Sequence, residues 1–98
     1  MLEFNANNLE DLEIEARKRA HEVSVVTVSG VIKALEKNVD KVVIGTLMQL
    51  DLDLSVDKSK YLEVLETNLF RLEEAEEYEL CKEAIIWIKK LRKNPKQT

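Results

Sequence analysis

Glycine and proline are almost missing from this chain of 98 residues, which holds two of the first and one of the second. Two isolated glycines cannot build a loop that cradles phosphates, so the common nucleotide-binding motifs are excluded. No Pro- or Gly-rich stretch marks a linker and no repeat divides the chain, so a single domain over 1–98 is expected, with 94–98 as a frayed tail. Cysteine occurs once, at Cys81, and histidine once, at His21. One cysteine makes no intramolecular disulfide, and one histidine without a glutamate three residues before it leaves no Glu-x-x-His metal pair. Aromatic residues are only 5% of the chain, so aliphatic side chains must supply most of the buried area. Apolar runs fall well short of the ~20 residues that span a bilayer. The opening "MLEFNANNLEDLE" carries acid where a signal peptide carries base. A cytoplasmic protein with no membrane partner is expected.

What the chain does have is 45% hydrophobic and 35% charged residues, a balance that suits helices with solvated outer faces. Its formal charge of −4 opposes phosphate backbones, so nucleic acid is not the expected partner. The charge is uneven. Eight glutamates stand against three basic residues between Lys60 and Ile86, whereas Trp87 to Thr98 holds five Lys or Arg and no acid. Basic residues in a last helical turn are favoured by the helix dipole, which accounts for "KKLRKNPK" without an acidic protein or polyphosphate partner.

In "NANNLEDLEIEARKRAHEV", Asn7 or Asn8 can cap a helix whose first turn holds Glu10 and Asp11. Glu13 with Arg17 and Glu15 with Arg19 add i,i+4 pairs worth ~0.2–0.5 kcal/mol each. The valine run that follows favours a strand by propensity. Against it, Leu9, Leu12, Ala16, Ala20, Val23, Thr27, Gly30 and Ala34 keep one helical stripe in phase, which predicts a helix from about 8 to 37, interrupted or bent near Gly30. A second apolar line, Ile14, Val25, Val28, Ile32 and Leu35, predicts burial on two sides. Asn38 is either a left-handed stop or the next cap. The spacing of Val39, Val43, Thr46, Leu47 and Leu50 predicts a second helix over 39–50, with "LDLDLS" as its connection and Ser55 or Asp57 capping a third. Leu62, Leu65, Leu69 and Leu72 form a stripe whose next positions, 76, 79 and 83, are glutamates. The pattern resumes on another face with Tyr78, Cys81, Ile85 and Ile88, which predicts a helical hairpin broken in "EEAEEY"; one long helix packed on opposite faces is the alternative. The expected fold class is therefore all-α, a small bundle of three to four helices.

Chemistry is sparse. Asp51, Asp53, Ser55 and Asp57 would fill positions 1, 3, 5 and 7 of a calcium loop, but Val56 stands where a glycine turns the loop and Leu62 where a bidentate glutamate closes it. Cys81 lies on an apolar stripe among glutamates, the opposite of what a thiolate nucleophile needs. The cluster Glu73, Glu74, Glu76, Glu77 and Glu79 has no histidine at ligand spacing. No cofactor, metal or catalytic set is expected, and the protein is read as non-enzymatic.

Two functional readings follow. The first is a protein-interaction module, a regulatory, inhibitory or assembly factor for an unidentified protein. It would self-associate as a homo-oligomer through the small-residue line Ala16, Ala20, Val23, Thr27, Gly30 and Ala34. The second is a helix-turn-helix DNA-binding regulator built from 42–50 and 56–68, with Lys58, Ser59, Lys60 and Tyr61 opening the recognition helix. Separately, "LEEAEEYELCKEAIIWIKKLRK" resembles the UVR-type helical hairpins of repair and regulatory proteins, where an acidic turn and an aromatic residue precede the second helix. Cys81 and Lys82 replace two alanines of that pattern, and Ile86 and Trp87 its Arg-Asp pair. The resemblance implies a hairpin for the C-terminal third and carries no function with it.

Overall fold

A computed structural model describes residues 2–47 and 52–93. Strand β1 (Leu2–Phe4) leads into helices α1 (Leu9–Lys18) and α2 (Ala20–Glu36). Strands β2 (Lys41–Leu47) and β3 (Leu52–Asp57) follow, then a 3-10 turn (Lys58–Lys60) and helices α3 (Tyr61–Glu74) and α4 (Tyr78–Lys93). The three strands form one mixed sheet in the order β1-β2-β3. This corrects the all-α bundle expected from the sequence.

The correction falls on 39–50 and on "LDLDLS". Val42, Val43, Ile44 and Thr46 are β-branched, and in β2 they meet partners on both sides, which is where such residues fit best. Leu2, Glu3 and Phe4 pair in parallel with Gly45, Thr46 and Leu47. Parallel strands need a long crossover, and α1 with α2 provides it. On the other side β3 pairs antiparallel, Lys41 with Asp57 through Leu47 with Leu52, with a bulge between Val43 and Gly45. Gly45 is obligatory at the β1 contact: a Cβ there would lie 2.8 Å from the Leu2 carbonyl oxygen and 2.9 Å from Leu2 Cβ. Positions 48–50 of the expected second helix lie outside the described residues.

The expected long first helix is two helices. Asn8 caps α1, its Oδ1 accepting from the Asp11 N–H at 2.8 Å. The break comes at Arg19, not at Gly30. Arg19 donates to the Glu3 carbonyl at 2.6 Å and to both carboxylate oxygens of Glu22 at 3.0 and 2.7 Å, with its guanidinium 5.0 Å from the centre of the Phe4 ring. That side chain ties the helix junction to β1. Helix α2 then runs through the valines and Gly30 without interruption.

Both helix ends that precede a turn close in the same way. Asn38 (φ 54°) and Glu76 (φ 60°) adopt the left-handed conformation. Their N–H groups donate to Leu35 and Glu73, while the next residues, Val39 and Glu77, donate to Ala34 and Leu72. Asn38 thus acts as a stop, and Glu76 turns α3 back toward α4, so 57–93 is not one long helix.

Helix α2 is the central element, and its two apolar sides are covered by one chain. One side contributes Val28, Val31, Ile32 and Ala34 to a core with Tyr61, Leu65 and Leu72 of α3 and Cys81, Ala84, Ile88 and Leu91 of α4. Another packs Val23 and Val26 against a smaller core of Leu2, Phe4, Ala6 and Leu47. Between α2 and α3, Ser24 Oγ donates to Asn68 Oδ1 at 3.0 Å, and Asn68 Nδ2 donates to the Val64 carbonyl at 2.8 Å.

Candidate functional site

The small-residue line proposed for self-association is engaged within the fold. Thr27 and Ala34 are buried, Ala16 and Val23 pack on the β1–β2 core, and a Cβ on Gly30 would meet Ile44 and Val42 of β2 at 3.5 and 3.6 Å. Ala20 borders α3 in a shallow hollow with His21, Arg71, Glu74 and Ala75. The requirement that led to a second copy, a helix with two apolar sides, is met by β2 on one side and the α3–α4 hairpin on the other.

Among the described residues the helix-turn-helix geometry expected over 42–50 and 56–68 is absent. Its first helix would cover 42–50, where β2 runs as a strand to Leu47, and its second would begin at 56, inside β3. Lys58, Ser59 and Lys60 form the 3-10 turn, and Tyr61 is wholly buried, its hydroxyl donating to the Val39 carbonyl at 3.1 Å. Burial, with Asp40 and Asp57 nearby, pushes that phenol up from its ordinary value. Lys58 Nζ reaches Asn38 Oδ1 at 3.4 Å, and Lys60 Nζ lies 3.5 Å from Glu63. Tyr61 is a core residue and cannot open a recognition helix.

Cys81 and His21 are not brought together as a reacting pair. Burial first, then Glu73 and Glu77, raise the Cys81 thiol, which disfavours the thiolate that nucleophilic attack requires. His21 Nε2 faces Glu77 Oε1 at 3.1 Å. Of the calcium-loop set, Asp51 lies outside the described residues, while Asp53, Ser55 and Asp57 alternate along β3 and so share one face of an extended strand instead of converging on a cation. Among the described residues no cluster of three or more His, Cys, Asp or Glu side chains could hold a metal ion. No helix among them is long and apolar enough to cross a membrane. In the basic last turn, Lys90 sits 4.5 Å from the Trp87 ring and Arg92 pairs with Glu66 of α3.

What the fold does create is a groove. Strand β3 is an edge of the sheet, bonded to β2 on one side and, among the described residues, to no strand on the other. The start of α3 lies beside the C-terminal end of that edge, and the two border an open hollow of about 380 Å³ lined by Ser55, Val56 and Asp57 of β3 and by Lys60, Glu63, Val64 and Thr67. Val56 and Val64 join the larger core at its floor, while Ser55 and Asp57 point to solvent. Backbone donors and acceptors along an edge, beside an apolar floor, are what an added strand uses. The sequence signal for this site was the period-two alternation of "LDLSVD", which matches a strand with one buried face. A second groove of about 360 Å³ lies between α3 and α4, lined by Leu69, Ile85 and Ile88 with Glu66, Lys89 and Arg92 at its rim.

Comparison with protein-family models, with curated proteins and with solved structures gave no match to this chain. The UVR-like pattern of the C-terminal third is accordingly a likeness of local sequence, unaccompanied by a family match.

Proposed function

We propose that this protein is a non-enzymatic interaction module, a regulatory, inhibitory or assembly factor that acts by holding a segment of another protein against the free edge of its sheet. The observation that carries this reading is the open β3 edge with α3 beside it and an apolar floor between them. Edge strands left uncovered pair readily with other chains, and a flanking helix restricts which chains fit. Of the line Ala16, Ala20, Val23, Thr27, Gly30 and Ala34, Thr27 and Ala34 are buried and Ala16 and Val23 pack on the β1–β2 core, which favours the sheet edge over this line as the contact for a partner.

A photo-crosslinking amino acid at Ser55, on the edge, tests the reading against the same group at Glu83, exposed on α4 away from the groove. Crosslinking in cells should yield one discrete protein from position 55 and not from 83. That protein, identified and purified, should rebind in solution and slow amide exchange over 52–57. Equal products from both positions, or none from position 55, would refute the module.

A further inference from the structure

The outer face of the sheet beside the groove is acidic. Asp53 and Asp57 project from β3 with Ser55 between them, and the row through Asp53 continues across Thr46 to Glu3. Lys41 stands opposite Asp57 on the β2 side, so one carboxylate already has a basic neighbour. On the free side neither aspartate has a cross-strand partner among the described residues. Within the groove Lys60 is matched by Glu63 at 3.5 Å, which leaves the lining and edge with an acidic excess.

A strand added to β3 would place its residues in register with this alternation. Those opposite Leu54 and Val56 would face the helices, the one beside Val56 packing on the floor with Val64 and the one beside Leu54 lying over the smaller core, while those opposite Asp53 and Asp57 would face outward beside two carboxylates. We infer that the edge of β3 receives an extended peptide segment in which apolar residues alternate with lysine or arginine. This rests on the interaction-module reading and adds the chemistry of the partner. Apolar side chains supply the contact with the floor, backbone groups supply the ladder, and the cations supply the choice of partner.

The same charges argue against a second copy as the occupant. An antiparallel two-fold pairing of β3 centred on Ser55 sets Asp53 of each copy opposite Asp57 of the other, and like charges directly opposite are destabilising. Aspartates placed this way protect the edge against itself while leaving it open to a basic strand.

The test uses the full chain and four labelled heptapeptides: alternating Lys and Val, alternating Glu and Val, alternating Ser and Val, and the Lys-Val composition rearranged in blocks. Binding is followed by fluorescence anisotropy and by amide chemical shifts. The alternating Lys-Val peptide should bind best, with shifts confined to 52–57 and 60–67. Its affinity should fall about tenfold when Asp53→Lys and Asp57→Lys are combined, and should weaken with added salt because exposed charges are screened. The double variant should take the Glu-Val peptide in preference. N-methylation of alternate peptide amides should abolish binding with no change in side chains. If the Ser-Val or Glu-Val peptide binds the wild type as well as Lys-Val, the basic-partner inference is overturned while the module stands. If no peptide binds and the Ser55 crosslink is also empty, both fail. A doubling of native mass over a concentration series, accompanied by slowed amide exchange over 52–57, would make a second copy the occupant and overturn the inference.

Discussion

Alanine at Gly45 and alanine at Gly30 should move stability in opposite directions, and the sign at Gly45 distinguishes the observed sheet from the helix its local sequence favours. At Gly45 the new Cβ would stand 2.8 Å from the Leu2 carbonyl oxygen and 2.9 Å from Leu2 Cβ. Neither neighbour is the far end of a flexible side chain. Relief requires β1 to move off β2, which would loosen the buried Leu2, Phe4 and Leu47 cluster. Overpacking of this kind costs about 1–3 kcal/mol. At Gly30 the nearest atoms, Ile44 Cγ2 and Val42 Cγ2, lie at 3.5 and 3.6 Å, which is ordinary contact. There the dominant change is helix propensity, and Gly→Ala in a helix interior gains roughly 0.5–1 kcal/mol. The variants should therefore differ by about 2–4 kcal/mol, a separation of order 10–20 °C in Tm for a domain of this size. Urea unfolding followed by circular dichroism measures the difference, and amide exchange at 2–4 locates it. In a helix over 39–50, Gly45→Ala would stabilise. A Gly45→Ala variant as stable as the wild type would refute the β1–β2 packing.

Glu76→Gly should stabilise by about 1 kcal/mol, since a non-glycine residue at φ 60° pays a steric cost that glycine does not. Ala75→Gly, at φ −86°, should destabilise in the same thermal scan, and a Glu76→Gly variant no more stable than the wild type would count against the left-handed turn. Thr27 Oγ1 is buried without a hydrogen-bond partner among the described residues, so Thr27→Val should raise the urea midpoint by the equivalent of about 1 kcal/mol. A loss of stability would mean that the hydroxyl is satisfied. The hydrogen bonds from Arg19 hold the Glu22 carboxyl below its ordinary value of 4.5, outweighing partial desolvation. A carboxyl depressed in the folded state stabilises above its unfolded pKa, and that contribution disappears as pH falls through the folded value. The urea midpoints of the wild type and Glu22→Gln should accordingly differ at neutral pH and converge in acid; a constant gap down to pH 2 would exclude the linkage.

Local sequence determined the features whose physics is local. Asn8 caps α1 because its side chain reaches a free N–H three residues ahead. Asn38 stops α2 because asparagine tolerates the left-handed conformation. The shift of the apolar stripe from Leu72 to Tyr78 reflects the turn that separates α3 from α4. The two apolar sides of α2 were also legible, but not what covers them. Two β-branched stretches of similar propensity, 23–28 and 41–47, became helix and strand respectively, and only tertiary context separates them. The first continues a capped helix and packs in the middle of the molecule, while the second finds β1 and β3 on either side. Pairing between Leu2 and Gly45 spans much of the chain, and no window of sequence contains it. The groove has the same origin. "LDLSVD" carries the alternation of a strand, yet the groove exists only because β2 pairs with one side of it and the start of α3 lies beside its C-terminal end.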